Sequence, residues 1–62
     1  MYKIVEVVGV SAKSFDDAVK TAVEQASKNG QVDYFEVIEQ RGAVAKGKVK
    51  EYQAVVKLGV RK

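Results

Sequence analysis

Cysteine, histidine, proline and tryptophan are all absent from this chain of 62 residues. Without cysteine and histidine there are no disulfides and no zinc sites of thiolate and imidazole. Every nucleophilic mechanism that needs a thiol or an imidazole is also excluded. No long apolar run is present, so no helix is expected to span a membrane. The opening Met1 to Glu6 lacks the apolar stretch and cleavage site of a secretory signal. The expectation is a cytoplasmic protein that makes no contact with membranes.

What is present is a short chain with a net charge of +3, and the expectation is a single domain over residues 1–62. A chain of this size can only just bury enough apolar surface to fold alone, and only with a full two-layer core. Such chains usually rely on disulfides, a metal or oligomerisation. With disulfides excluded and no strong metal motif, oligomerisation is the favoured staple.

Three stretches carry the periodicity of strands and one that of a helix. Residues 2–10, YKIVEVVGV, are β-branched and predict a strand closed by Gly9 and Ser11. In residues 14–28, Phe15, Ala18, Val19, Ala22, Val23 and Ala26 form one stripe of a 3.6-residue helix. Ser14 followed by Asp17 fits a capping box. Asp16 and Asp17 complement the positive end of the helix dipole, and Asn29-Gly30 marks a stop. Residues 32–45 and 48–61 predict two long strands joined by a tight turn at Lys46-Gly47. The fold class that follows is α+β, with order β-α-β-β: a three-stranded antiparallel sheet with one helix across it.

Pairing across that turn predicts the register. A two-residue loop sets Phe35 against Leu58, Glu36 against Lys57, Val37 against Val56 and Ile38 against Val55. Apolar then meets apolar, and charge meets opposite charge. Phe35, Val37, Ala54, Val56, Leu58 and Val60 share the face that suits the helix. Tyr34, Glu36, Ile38, Gln40, Gln53, Val55 and Lys57 line the other. The apolar members of that second face mark a subunit interface.

The chemistry-bearing candidates are few. Lys46, Lys48 and Lys50 resemble a basic patch, but no aromatic residue interleaves them. They are better explained as a solvated hairpin tip that blocks edge pairing, so no nucleic-acid partner is expected. The carboxylates Asp16, Asp17, Glu36 and Glu39 have no calcium-loop spacing, and no metal site formed by one chain is expected. No nucleophile–base pair or phosphate-cradling glycine loop is visible, so no catalytic residue is assigned and no enzyme is expected. Tyr34 and Gln53 differ from these. An aromatic ring and an amide on one sheet face suit a flat heteroaromatic ligand, the ring stacking and the amide reading its edge. The competing explanation is packing between subunits. Gln53 is expected opposite Gln40, roughly 20 Å along the strands from Tyr34 at about 3.3 Å per residue. If the two share a site, they come from different subunits.

Asp33-Tyr34-Phe35-Glu36-Val37, Arg41-Gly42 and the run Lys50-Glu51-Tyr52-Gln53-Ala54-Val55-Val56-Lys57-Leu58-Gly59-Val60-Arg61 resemble the dodecins. So do the opening Tyr2 to Gly9 and the segment from Ser11 to Ala22. The resemblance covers essentially the whole chain. It implies a sheet wrapped partly around one helix, and a hollow homododecamer as the self-assembled form. It also implies flavin storage, with FMN or riboflavin as ligand and no turnover. By the same resemblance Tyr34 takes the position of the family's stacking tryptophan. Gln53 hydrogen-bonds the isoalloxazine edge, and Arg41 and Arg61 contribute to the flavin mononucleotide site. Two departures stand out: tyrosine offers a smaller stacking surface than tryptophan, and the connection Asn29 to Val32 is about one residue short. The alternative is a dodecin-like cage that has lost tight flavin binding and takes cations or another anionic ligand.

Overall fold

The computed structural model describes residues 1–61. The elements follow the expected order: β1 (Tyr2–Ser11), α1 (Phe15–Ala26), a short 3-10 turn (Ser27–Asn29), β2 (Gln31–Ala45) and β3 (Lys48–Arg61). The strands form one antiparallel sheet in the order β1-β3-β2. The last strand therefore lies in the middle, and β1 and β2 run parallel to each other on either side of it. Among the described residues no helix is long and apolar enough to cross a membrane.

The start of α1 is held by a small polar network. Ser14 Oγ accepts from the Asp17 amide at 3.0 Å, the forward half of the expected capping box. The return half is relayed. Ser11 Oγ accepts from the Ser14 amide at 3.4 Å and from the Lys13 amide at 2.9 Å, and donates to Asp17 Oδ2 at 2.7 Å. Ser11 is buried, so its hydroxyl needs these partners. Strand β1 does not close at Gly9 but runs through it to Ser11. Gly9 is where the helix comes closest: a β-carbon there would collide with the Ala18 carbonyl oxygen. That approach explains why the helix contributes the small residues Ala18 and Ala22 to the core, against Ala54, Val56 and Leu58 of β3.

The turn at Lys46-Gly47 is as expected. Lys46 has φ 55° and Gly47 φ 76°, the left-handed pair that matches strand twist in a two-residue hairpin. From Tyr34 to Val37 the register is also the expected one, with Phe35 opposite Leu58, Glu36 opposite Lys57 and Val37 opposite Val56. It holds again beside the turn, with Val44 opposite Val49 and Ala45 opposite Lys48, but from Glu39 to Ala43 it is offset by one, between extra residues at Ile38 of β2 and Lys50 of β3. A β-bulge leaves Ile38 without a partner and sets Glu39, not Ile38, opposite Val55. An inserted residue reverses the alternation of faces along its strand. Gln40 consequently stands opposite Ala54 and moves to the helix side, and Gln53 stands opposite Arg41 instead of Gln40. Phe35 and Val37 do lie on the helix side, but they are 52% and 38% exposed. The helix lies over β1 and β3 and, apart from Val32 packed at the edge of the core, leaves β2 uncovered.

Candidate functional site

The sheet face opposite the helix carries the candidate residues, and the structure divides them into two groups. The first lies at the end where β1 begins and β3 finishes. Tyr34 stands opposite Gly59, and its ring fills the space where a β-carbon of residue 59 would sit. The ring also meets Tyr2 of β1 edge to face, with centroids 5.4 Å apart and planes at 80°. Glycine on one neighbouring strand and tyrosine on the next but one thus fix where the Tyr34 ring lies. It remains 46% exposed.

Arg61 belongs to the same group. Its Nε donates to Asp33 Oδ2 at 2.9 Å, and its Nη2 lies 2.7 Å from that oxygen. Asp33 Oδ1 accepts from Gln31 Nε2 at 2.9 Å. The Gln31 amide does most to hold the Asp33 carboxyl below the usual carboxylate range; burial opposes it, and the Arg61 guanidinium and the Tyr2 hydroxyl lower it further. The Asp33 hydrogen bond and charge raise Arg61 in turn.

The second group lies toward the hairpin. The one-residue offset between the irregularities at Lys50 and Ile38 brings Arg41 into register with Gln53. Arg41 Nε donates to Gln53 Oε1 at 3.0 Å, and Gln53 Nε2 donates to Glu51 Oε2 at 2.6 Å. Glu39 Oε1 lies 3.7 Å from Arg41 Nη1. The Gln53 amide is therefore oriented by charged neighbours of opposite sign. Each end keeps further capacity, one N–H and one lone pair, for a ligand edge.

Tyr34 and Arg61 thus form one group, and Arg41 and Gln53 another. About six residues of β3 separate Gly59 from Gln53, roughly 20 Å at about 3.3 Å per residue. Tyr2, Gln31, Asp33 and Glu51 were not singled out by sequence reasoning. Glu51 was within reach of it, since a residue two positions from Gln53 shares its face. Tyr2 was not, because its place beside Tyr34 depends on β1 pairing with β3. Among the described residues no three acidic or imidazole or thiol side chains gather as metal ligands would. Glu36 faces Lys57 in the register, with Glu6 on the other side of that lysine.

The chain is thus a β-α-β-β unit whose sheet face away from the helix carries a seated aromatic and a glutamine oriented by Arg41 and Glu51. The family model that matches residues 1–61 is that of the dodecins. The dodecin of Thermus thermophilus is 42% identical over 62 residues, covering 98% of this chain and 90% of that one. The crystal structure of the tt0972 protein from Thermus thermophilus superposes with a TM-score of 0.94 at 41% identity, covering 100% of this chain and 93% of the other. Variants of the Thermus thermophilus dodecin with a tryptophan changed to phenylalanine, or one of two arginines changed to alanine, have been solved as well. The dodecin of Streptomyces coelicolor gives a TM-score of 0.95 at 41% identity, covering 100% of this chain and 90% of that one. A calcium dodecin of Mycobacterium tuberculosis, described with a calcium-binding site, gives 0.87 at 28% identity, covering 100% and 90%. This chain belongs to the dodecin family.

Proposed function

We propose that the chain is a flavin-binding storage protein that assembles into a hollow homododecamer and performs no turnover. The flavin, FMN or riboflavin, stacks on Tyr34 of one subunit, and Gln53 of another hydrogen-bonds the isoalloxazine edge. Arg41 and Arg61 supply guanidinium groups suited to a flavin phosphate.

The observation that carries this reading is the division of the face into two groups roughly 20 Å apart. One chain cannot place Tyr34 and Gln53 on the same small ring system, whereas two chains joined through this face can. Ile4, Val8, Val10 and Ile38 are large, apolar and exposed on the same face, as a subunit interface requires. The separations along the chain add support. The tryptophan and the two arginines altered in the Thermus variants are spaced as Tyr34, Arg41 and Arg61 are here.

A flavin fluorescence titration, run beside light scattering, tests it. The parent quenches added flavin and scatters as a large closed oligomer. Tyr34→Ala binds several-fold more weakly, since aromatic pairs contribute about 0.5–1.5 kcal/mol beyond area burial. Tyr34→Trp binds more tightly, and Gln53→Ala more weakly through a lost hydrogen bond. Equal affinity in parent, Tyr34→Ala and Tyr34→Trp, with the oligomer intact, removes flavin from the reading. A calcium titration of the same samples then tests the cation-binding alternative.

A further inference from the structure

The end of the β2–β3 hairpin has no cover of its own. Strand β1 stops at Ser11, opposite Tyr52, and the first helical residue, Phe15, packs edge to face on Tyr52 with centroids 5.0 Å apart. Past that point β2 and β3 continue alone to the turn. Val44 and Val49 pair across this ribbon and are 70% and 57% exposed. Exposed Lys46, Lys48 and Lys50 lie in the same ribbon and turn and make this end of the chain positively charged. A two-stranded ribbon by itself is marginally stable in water.

A surface of opposite character lies between α1 and the uncovered strand β2. It is a groove of ≈ 550 Å³ with an apolar floor of Val19, Val23, Phe35 and Val37. Asp16 and Glu24 stand on its rim, with Lys20 between them on the helix. The ribbon leads away from the helix start, so a chain cannot place its tip in its own groove.

We propose that the hairpin tip of one chain seats in the α1–β2 groove of a second copy. Val44 and Val49 lie on the apolar floor, and the tip lysines pair with Asp16 and Glu24. The proposal rests on the self-assembly reading and adds to it which surfaces meet. The contact is head-to-tail: each chain offers a tip and a groove. Rotation must close such contacts into a ring if the assembly is to be a closed shell. It also supplies cover for Phe35 and Val37, which the single helix leaves exposed.

Because the chain has no cysteine, introduced pairs report the contact without background. A chain carrying both Val49→Cys and Val23→Cys, oxidised in its assembled state, runs as covalent multimers on a non-reducing denaturing gel. Each single-cysteine variant runs as a monomer. Val49→Asp lowers the assembled fraction at least about tenfold, because it places an unpaired charge on an apolar floor, and leaves the helical circular dichroism in place. Glu24→Lys weakens assembly, and Lys48→Glu added to it restores assembly. If the parent assembles but the paired cysteines do not link and Val49→Asp assembles normally, the contact is overturned and self-assembly stands. Single-cysteine variants that link as well as the pair overturn it too, since like would then meet like. A parent that stays monomeric at micromolar concentration overturns both readings.

Discussion

Leu58 and Phe35 are partners in one row of the sheet, yet Leu58 is fully buried and Phe35 is half exposed. The next row repeats the contrast with Val56 and Val37, and the row after it sets buried Ala54 beside Gln40. Coverage explains the difference. A helix about 10 Å across spans roughly two strand spacings of about 4.8 Å. Gly9 draws α1 close over β1, and the helix then covers β1 and β3 and not β2. One half of the sheet therefore holds the core of the single chain. The other half, with its groove and its bare ribbon, presents apolar surface that a single chain leaves in water.

Mutations on the two sides of one row test that contrast most strongly. Leu58→Ala lowers stability in chemical denaturation by about 2–5 kcal/mol, the usual cost of a truncated buried leucine. Phe35→Ala costs the dilute chain less than about 1 kcal/mol and costs more as protein concentration rises and assembly fills the groove. Equal losses under dilution would erase the distinction between the halves.

Smaller changes sharpen it. Ser14→Ala removes the cap that starts α1, lowering stability by about 1 kcal/mol in the same assay. Lys46→Asn acts on the bare ribbon alone. Asparagine tolerates the left-handed conformation at φ 55° better than lysine, so thermal unfolding rises by the equivalent of about 0.5 kcal/mol. A change at residue 46 that outweighed the loss of the cap would place more of the stability in the ribbon than the burial pattern allows.

The smallest effect concerns pH at the Tyr34 end. Asp33 titrates below the usual carboxylate range in the folded chain. Its pairing with Arg61 is therefore complete above about pH 4 and is lost as pH falls through its lowered value. Near-ultraviolet circular dichroism of the Tyr2–Tyr34 pair should stay constant from about pH 7 to pH 5 and change only below about pH 4. Asp33→Asn should remove that acid step. An unchanged acid transition in Asp33→Asn would show that another carboxylate governs it.

The local signals in this sequence were clear where one element decides its own shape. The stripe from Phe15 to Ala26, the cap at Ser14 and the turn at Lys46-Gly47 act within a few residues, and each appears where expected. The register from Tyr34 to Val37 was legible because cross-strand partners match in kind. The candidate site was half legible. Tyr34, Arg41, Gln53 and Arg61 could be named, but their grouping could not. The offset between Lys50 and Ile38 sets Arg41 beside Gln53, and nothing in the alternation around either residue announces an extra position. Ser11 was similarly misjudged as a strand terminator only, because its role depends on the approach of Asp17 after the chain has turned.

The sequence by itself determined the elements, their order, the turn that joins the last two strands, and the family to which the chain belongs. These follow from period, capping chemistry and motif, all of which are short-range along the chain. The tertiary structure alone decided which half of the sheet is covered, where the faces exchange along β2, and that the Tyr34 ring rests on Gly59 against Tyr2. Those outcomes depend on how closely helix and sheet approach and on the extra residues at three irregularities of the β2–β3 ladder. Both are set by packing between segments distant in sequence.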